Sequence, residues 1–120
     1  MIPLGPATRV YLAAGATDLR QGFEGLSGLV RHQLKEDPLS GHLFVFSNRG
    51  RNRLKLLYWD GSGLWVCAKR LEKGRFSWPR PEEGQTPPAA LRILAEELTL
   101  LLSGIDLEKT KTRAWWRRAA

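Results

Sequence analysis

Hydrophobic and polar positions alternate near the start of the chain and then change period. The segment "TRVYLAA", Thr8–Ala14, alternates and contains β-branched and aromatic residues, which predicts a first strand. Further along, apolar residues recur in steps of four, three, four and four, at Leu19, Phe23, Leu26, Val30 and Leu34. This spacing is that of one helical face. We therefore predict one long N-terminal helix, about Asp18 to Leu34, with Phe23 buried in the middle of its apolar face.

The ends and the glycines of this predicted helix carry further signals. Asp18 with Gln21 three residues later resembles a capping box, and Pro38 follows as a stop. Arg20 stands in the first turn, where the helix dipole disfavours a cation, so a buried carboxylate or a functional anion should hold it there. Our hypothesis is the functional contact. Glycine recurs at Gly22, Gly25 and Gly28. Because each costs a helix about 1 kcal/mol relative to alanine, we expect close approach of the helix to the sheet; close approach to a ligand backbone is the alternative.

Between positions 42 and 78, short apolar runs alternate with Asn, Asp and Gly turns. The runs are "HLFVFSN", "RLKLLYWD", "LWVCAKRLE" and "RFSWP". Strands at this spacing predict an antiparallel meander. After a proline-rich loop, "AALRILAEELTLLLSG" is either one helix from Pro88 or a short strand "ALRI" followed by a helix from Ala95. In both cases Gly104 is the C-terminal stop.

These elements predict an α+β fold: an antiparallel five- to six-stranded sheet (meander), one long N-terminal helix on a face and a short C-terminal helix. With 120 residues the chain has the length of one domain. We expect a single domain over residues 1–104 and a basic, Trp-containing C-terminal tail over residues 105–120. A homo-oligomer is compatible with this arrangement.

Composition narrows the class of protein. The chain is 42% hydrophobic and 26% charged, as ordinary globular proteins are. It has neither a run of about 18 apolar residues, which a membrane span needs, nor the basic and apolar start of a secretory signal. The single cysteine, Cys67, cannot form an internal disulfide, and its apolar neighbours predict a buried thiol. We expect a cytoplasmic protein with no membrane partner.

The charge of the chain is concentrated in two zones. Residues 49–75 carry eight Lys and Arg against Asp60 and Glu72, a net charge of +6. Residues 109–120 carry five Lys and Arg and no acid, and the remainder has a net charge of −4. Two basic zones on a slightly acidic body predict contact with a polyanion. Contact with DNA would associate the protein with the nucleoid.

The first zone begins with a regular pattern of cations. Its first four occupy every second position, so in a regular strand they share one face. Three of these four are arginines, which favours bidentate contact with phosphate or guanine. We predict nucleic-acid contact by Arg49, Arg51, Arg53, Lys55, Lys69, Arg70, Lys73 and Arg75. The alternative is that these charges only protect an exposed sheet edge from aggregation.

The second zone interleaves tryptophan with arginine in "KTKTRAWWRR". Exposed tryptophan beside arginine suits base stacking or an anchor in a partner protein's pocket. We predict tail contacts by Arg113, Trp115, Trp116, Arg117 and Arg118. The alternative is that Trp115 or Trp116 folds back onto the core. The aromatic residues of the meander are expected to pack in its core: Tyr58, Trp59, Trp65 and Trp78.

The sequence contains no arrangement typical of an enzyme. His32 and His42 have no cysteine or carboxylate at metal-ligand spacing. Cys67 has no base beside it in the sequence. Asp18 and Asp60 begin a helix and an Asp-Gly turn, and these local roles explain both residues. We therefore predict no catalytic residue, no metal and no cofactor.

Three stretches of the chain, in the same order, resemble one protein family. They are "VYLAAGATDLRQGFEGLSGLV", "GHLFVFSNRGRNRLKLLYWDGSGLWVCAKRLEKGRFSWP" and "LAEELTLLLSGIDL". The chain resembles TnpB, the accessory protein (Orf-two-like transposase protein) of the IS-sixty-six type of bacterial insertion sequences. It departs from the family pattern at Leu107, where tryptophan is usual.

This resemblance implies a function and a set of motif residues. The motif positions are Asp18, Arg20, Gly22, Phe23, Trp59, Asp60, Gly61 and Trp78. The family implies a non-catalytic accessory role in DNA transposition beside a separate, larger transposase. The expected partners are DNA and that transposase or another element-encoded protein. The resemblance also favours a strand at "ALRI" and a helix from Ala95 to Leu102. The alternatives are a protein-interaction subunit with no direct DNA contact and, third, a nuclease-like enzyme.

Overall fold

The computed structural model describes residues 5–79 and 89–104 and the backbone of 116–118. The described elements are, in chain order, β1 (Val10–Ala13), α1 (Phe23–His32), β2 (Leu43–Ser47), β3 (Arg53–Trp59), β4 (Leu64–Arg70), β5 (Ala90–Ile93), α2 (Ala95–Leu102) and β6 (Trp116–Arg118). The predicted α+β class is confirmed. Neither α1 nor α2 has the length and apolarity to cross a membrane, and the described residues contain no other α-helix.

The strands of the described residues form one sheet in the order β4-β3-β2-β1-β5-β6. Strands β2, β3 and β4 are the predicted antiparallel meander, but β1 and β2 are parallel, with Val10 opposite Leu43. The prediction of an antiparallel sheet was therefore wrong at this pairing. The connection through α1 returns the chain to the same end of the sheet, so β2 runs in the direction of β1. Apolar periodicity does not encode strand direction.

Both faces of the central strands are buried. On one face, α1 packs on the sheet, and the cluster includes Leu26, Val30, Phe44, Phe46 and Leu57. On the other face, α2 and the segment after β4 contribute Leu98, Leu101, Phe76 and Trp78. That segment, "RFSWP", was predicted as a strand, but it packs its aromatic side chains on the sheet without joining the ladder. As a result β1 and β2 are buried throughout, whereas the edge strand β4 is largely exposed.

Helix α1 has 10 residues and begins at Phe23 rather than at Asp18. The Asp18 side chain accepts a hydrogen bond from the backbone N of Arg20 (3.0 Å), which closes a tight turn before the helix. Leu26 and Val30 form its buried face as predicted, but Phe23 is 52% exposed. The prediction of a long helix with a buried Phe23 was wrong. Because the turn occupies the residues before Phe23, the helix begins later than predicted, and Phe23 is not part of the helical face that contacts the sheet.

The glycines of this region are not explained by close packing on the sheet. A Cβ atom at Gly25 would lie 2.6 Å from Gln21 Oε1, whereas Cβ atoms at Gly22 and Gly28 would have no heavy atom within 4 Å. Gly25 therefore leaves room for the Gln21 side chain, whose Nε2 donates to the backbone O of Asp18 (3.2 Å). The expectation that these glycines allow the helix to approach the sheet closely was wrong. The alternative, that they allow the helix to approach a ligand backbone, stays a prediction.

Replacing Gly28 with alanine is expected to raise the free energy of unfolding by about 0.5–1 kcal/mol. Gly28 lies inside α1, and open space receives the added methyl group. The melting temperature should rise by about 2–6 °C. Gly25→Ala is the matched control, and it should give no gain because its methyl group meets Gln21. A melting temperature lowered by Gly28→Ala would contradict this account of the helix.

The C-terminal part resolves the alternative between one helix and a strand followed by a helix. Strand β5 and helix α2 have the bounds that the family resemblance favoured. The backbone N of Leu94 donates to Glu97 Oε1 (2.8 Å) at the start of α2, and Gly104 closes its end with a φ of 77°. Strand β6 pairs with β5, with Trp116 opposite Ile93, so part of the expected tail joins the sheet. Arg113 and Trp115, and the side chains of Trp116, Arg117 and Arg118, lie outside the described residues.

Candidate nucleic-acid interface

The two halves of the first basic zone meet at one end of the sheet. Strand β3 pairs antiparallel with β4, so Arg70 at the end of β4 lies opposite Arg53 at the start of β3. The chain after β4 stays beside the β2–β3 loop, since the backbone N of Leu71 donates to the O of Asn52 (2.8 Å). We call this region the basic end and define it by five exposed cations, Arg49, Arg53, Arg70, Lys73 and Arg75.

The basic end keeps its positive charge in the folded protein. Among the described residues, an ion pair joins Arg70 to Glu72 at 3.5 Å, with side chains that are 59% and 86% exposed. Such an exposed pair contributes about 0–1 kcal/mol. Asp60, the other acid of this zone, follows the opposite end of β3. The basic end therefore presents a positive surface that can attract a polyanion, and salt will screen that attraction.

Two of the predicted contact residues instead hold neighbouring segments in place. Lys55 is half-buried on the α1 face of the sheet, and its Nζ donates to the backbone O of Gln21 (3.0 Å). Lys69 lies on the other face, where its Nζ donates to the O of Leu102 (2.7 Å) at the end of α2. A cation is favourable at a helix C-terminus. Both lysines therefore have structural contacts that the charge pattern alone did not predict.

Arg51 is turned away from the predicted row of cations. It lies in the loop before β3 with a φ of 57°, and its Nη2 donates to the backbone O of Ala14 (3.0 Å). Its guanidinium carbon lies 4.9 Å from the centre of the Trp78 ring, and burial lowers the pKa of Arg51. The prediction that Arg49, Arg51, Arg53 and Lys55 share one face was wrong, because β3 begins only at Arg53. Arg51 joins the hairpin loop to the end of β1.

Arg51→Ala is expected to lower the free energy of unfolding by about 2–4 kcal/mol. The change removes a hydrogen bond from a charged group, about 1.5–3 kcal/mol, and a cation–π contact, about 0.5–1 kcal/mol. Arg51→Gly should lose less, because glycine adopts the positive φ without strain. Arg49→Ala, in the same loop but exposed, should change stability by less than about 0.5 kcal/mol. Equal urea-unfolding midpoints for Arg51→Ala and Arg49→Ala would contradict this role.

The turn between β3 and β4 is held by Asp60. Its Oδ1 accepts hydrogen bonds from the backbone N of Ser62 (2.8 Å) and of Gly63 (2.9 Å), and its Oδ2 accepts one from Trp65 Nε1 (2.8 Å). The bond from Trp65 and the backbone bonds hold the pKa of Asp60 well below its usual range. Gly61 has a φ of 99°, which a glycine adopts without strain. Asp60 and Gly61 therefore have the local turn role that the sequence predicted.

The side chains of β4 are more exposed than predicted. Trp65 is 55% exposed, and Cys67 is also exposed. Trp78 is buried as expected, whereas Tyr58 and Trp59 are half-buried. The predictions of a buried Cys67 and a core Trp65 were wrong because β4 is the edge strand of the sheet. The sequence does not indicate which strand of a meander lies at the edge.

Arg20 pairs with a carboxylate that is its neighbour in the sequence. Its Nη2 lies 2.7 Å from Asp18 Oδ2, and its side chain is 90% exposed. Hydrogen bonds from Arg20 lower the pKa of Asp18 to about 2. Because α1 begins at Phe23, Arg20 precedes the helix and does not stand in its first turn. This local pair is exposed, so it is not the buried carboxylate that was one of the two alternatives, and the hypothesis of a functional anion stays a prediction.

The surroundings of His42 do not suggest a metal centre. The backbone N of Arg9 donates to His42 Nδ1 (3.0 Å), and burial lowers the pKa of His42. A neutral, hydrogen-bonded ring accounts for this residue as part of the fold. Within the described ranges, no three His, Cys, Asp or Glu residues are placed to hold a metal ion.

Comparison with known proteins identifies the family. Residues 8–112 match the family described as IS66 Orf2 like protein. The chain belongs to this family. It is 45% identical to protein y4hO of Sinorhizobium fredii, over 88% of each chain, and 38% identical to protein y4jC of the same organism, over 92% of each chain. Both relatives are described as uncharacterized. No solved structure matches the chain.

Membership of the IS66 Orf2-like family confirms the resemblance and implies an accessory role in an insertion sequence. The family is not known as a catalytic one. Several of its motif residues have structural roles in this protein: Asp18 and Arg20 form a turn, Asp60 and Gly61 form another, and Trp78 donates its Nε1 to the backbone O of Ala13 (2.9 Å). These motif residues build the fold, and the exposed cations of the basic end are the candidates for binding.

Proposed function

We propose that this IS66 Orf2-like protein supports transposition without catalysing it, and that it contacts DNA through the basic end. The observation that carries the proposal is the antiparallel register of β3 and β4, which sets Arg53 against Arg70. Arg49 lies in the β2–β3 loop, and Lys73 and Arg75 lie in the segment after β4. Backbone hydrogen bonds join this loop to this segment, so the three exposed cations lie at the same end of the sheet. Exposed arginines gathered in this way suit the phosphates of a nucleic acid.

Solubility alone accounts poorly for this arrangement. Like charges placed directly opposite each other on neighbouring strands destabilise a sheet. Cations spread over the surface would give the same net charge without this cost. A phosphate backbone is a ligand that would offset the repulsion, since each arginine can donate two parallel hydrogen bonds to it. The DNA-bound protein would then be associated with the nucleoid of a bacterial cytoplasm.

The second part of the proposal is contact with the element's transposase or another element-encoded protein. The open edge of β4 supports a protein contact: Trp65 is 55% exposed and held in one orientation by Asp60. Oriented tryptophans and unpaired strand edges are frequent contact sites in complexes. The same observation supports the alternative function, a protein-interaction subunit with no direct DNA contact.

Salt-dependent DNA binding separates these two functions. Fluorescence anisotropy with labelled duplex DNA from the ends of the element should show binding at low salt that weakens steeply as salt rises. No protein other than this one should be present, because acidic proteins would also give a salt dependence. If no DNA is bound even at low salt, the protein-interaction function replaces the proposal. A pull-down with the cognate transposase, with and without terminal DNA, tests the partner.

A further inference from the structure

A groove lies beside the arginine pair of the basic end. It has a volume of about 350 Å³ and is lined by Leu19, Arg53, Leu54, Lys55, Ala68, Lys69 and Arg70. The turn that precedes α1 forms one wall, and strands β3 and β4 form the other. Side chains alternate between the faces of a sheet, so the cations of these strands that face the groove are Arg53, Lys55 and Arg70.

The strand register sets the order of the side chains along the groove. Arg53 faces Arg70 at the mouth, and one step inward Lys55 faces Ala68 on the same side of the sheet. Lys55 is already committed, because its Nζ donates to Gln21 (3.0 Å). Beyond the arginine pair, the groove is therefore bounded by small or apolar groups, the methyl of Ala68 and the side chain of Leu19.

The two arginines at the mouth lack a strong anionic partner. Arg70 reaches Glu72 at 3.5 Å, and in the part of the chain that the structure describes no carboxylate forms an ion pair with Arg53. Asp18, the residue before Leu19, forms an ion pair with Arg20. An anion between Arg53 and Arg70 would relieve their repulsion and accept charge-assisted hydrogen bonds from both.

The space behind the arginines limits which phosphate compound fits. A volume of about 350 Å³ is near the lower end of the range for small-molecule sites, about 300–1,000 Å³. A base stacked and paired in a duplex cannot enter such a groove, whereas an unpaired nucleotide can turn its base aside. Its phosphate would stay at the mouth with the two arginines.

We infer that this groove binds one unpaired nucleotide of a DNA strand, with its phosphate between Arg53 and Arg70 and its base or sugar against Leu19 and Ala68. The inference rests on the proposed DNA contact and adds to it a strand preference. The protein would hold a single-stranded segment or a frayed end at the groove, while the other cations of the basic end contact backbone phosphates regardless of strand.

Filling the groove without changing its charge tests this inference. Ala68→Leu adds bulk behind the arginine pair, and Cys67→Leu adds bulk to the opposite face of the same exposed strand as the matched control. The probes are a 5′-phosphorylated oligothymidylate and a blunt duplex. Ala68→Leu should weaken oligothymidylate binding by about tenfold and leave duplex binding unchanged. Cys67→Leu should change neither.

The outcomes distinguish the groove from the general DNA contact. If Ala68→Leu binds oligothymidylate as tightly as wild type, or loses both probes equally, the inference is overturned while duplex binding by the wild type still supports the proposed function. If the wild type binds neither probe at low salt, both this inference and the proposed DNA contact are overturned. The methyl resonance of Ala68 in the wild type gives a test without any variant. It should shift more on addition of oligothymidylate than on addition of the duplex, and a resonance that oligothymidylate leaves unmoved would also overturn the inference.

Discussion

Phe44→Ala is expected to lower the free energy of unfolding by about 3–5 kcal/mol, the largest single-residue effect on stability that we predict. Phe44 is fully buried in β2, which pairs with β1 on one side and β3 on the other. Its ring stacks on Tyr11 with the ring centres 5.5 Å apart. Domains of this size have a total stability of only about 5–15 kcal/mol, so soluble yield should also fall.

Phe23→Ala is the matched control for this prediction. The same atoms are removed from a side chain that is 52% exposed at the start of α1, so the loss should be less than about 1.5 kcal/mol. Urea unfolding of both variants gives the comparison. If Phe23→Ala is as destabilising as Phe44→Ala, α1 must begin earlier and bury this residue, as the apolar periodicity alone predicts.

Replacing Arg49, Arg53, Arg70 and Arg75 together with serine is expected to flatten the plot of log affinity for DNA against log salt by about two to four units. Each phosphate contact on a duplex contributes roughly 0.9 to this slope through release of condensed counterions. All four residues are exposed. Arg51 and Lys55 are left unchanged because their hydrogen bonds hold the hairpin loop and the turn before α1. Circular dichroism should show that the variant is folded.

A pair of double variants with equal loss of charge locates the effect. Arg53→Ser with Arg70→Ser removes two cations from the basic end. Arg31→Ser with Lys35→Asn removes two exposed cations near the C-terminal end of α1. Asparagine is chosen at position 35 because it tolerates the φ of 57° there. Only the first double variant should flatten the salt plot. The same slope for both would show that DNA responds to net charge rather than to the basic end.

The predicted stability effects and the predicted binding effects fall on different residues of the basic zone. Arg51 has a positive φ and a half-buried guanidinium, so its replacement should be detected in unfolding. Arg49, two positions earlier, is exposed, so its replacement should be detected in DNA binding. Cations that are close in the sequence are therefore separable by experiment, because the loop directs one toward the core and the other to solvent.

Several features of the fold follow from local sequence, and the sequence by itself determined them. The short apolar runs "HLFVFSN", "RLKLLYWD" and "LWVCAKRLE", separated by Asn, Asp and Gly turns, predicted β2 to β4, because each strand and turn depends on neighbouring residues. The Asp-Gly turn was also correct, since the Asp60 side chain bonds within its own turn. Counting outward from that turn even gives the opposition of Arg53 and Arg70. The sequence therefore contained this signal, and the prediction from alternating cations missed it.

Only the tertiary structure decided which faces and edges are covered. The parallel pairing of β1 with β2 depends on the path of α1, and the exposure of Trp65 depends on β4 being the edge strand. Arg51 turns inward because Trp78 and Ala14, distant in the sequence, lie where its guanidinium can reach them. Strand order, edge position and long-range side-chain contacts arise from packing among distant segments. A residue's type and its spacing from its neighbours carry no information about which distant segment will cover it.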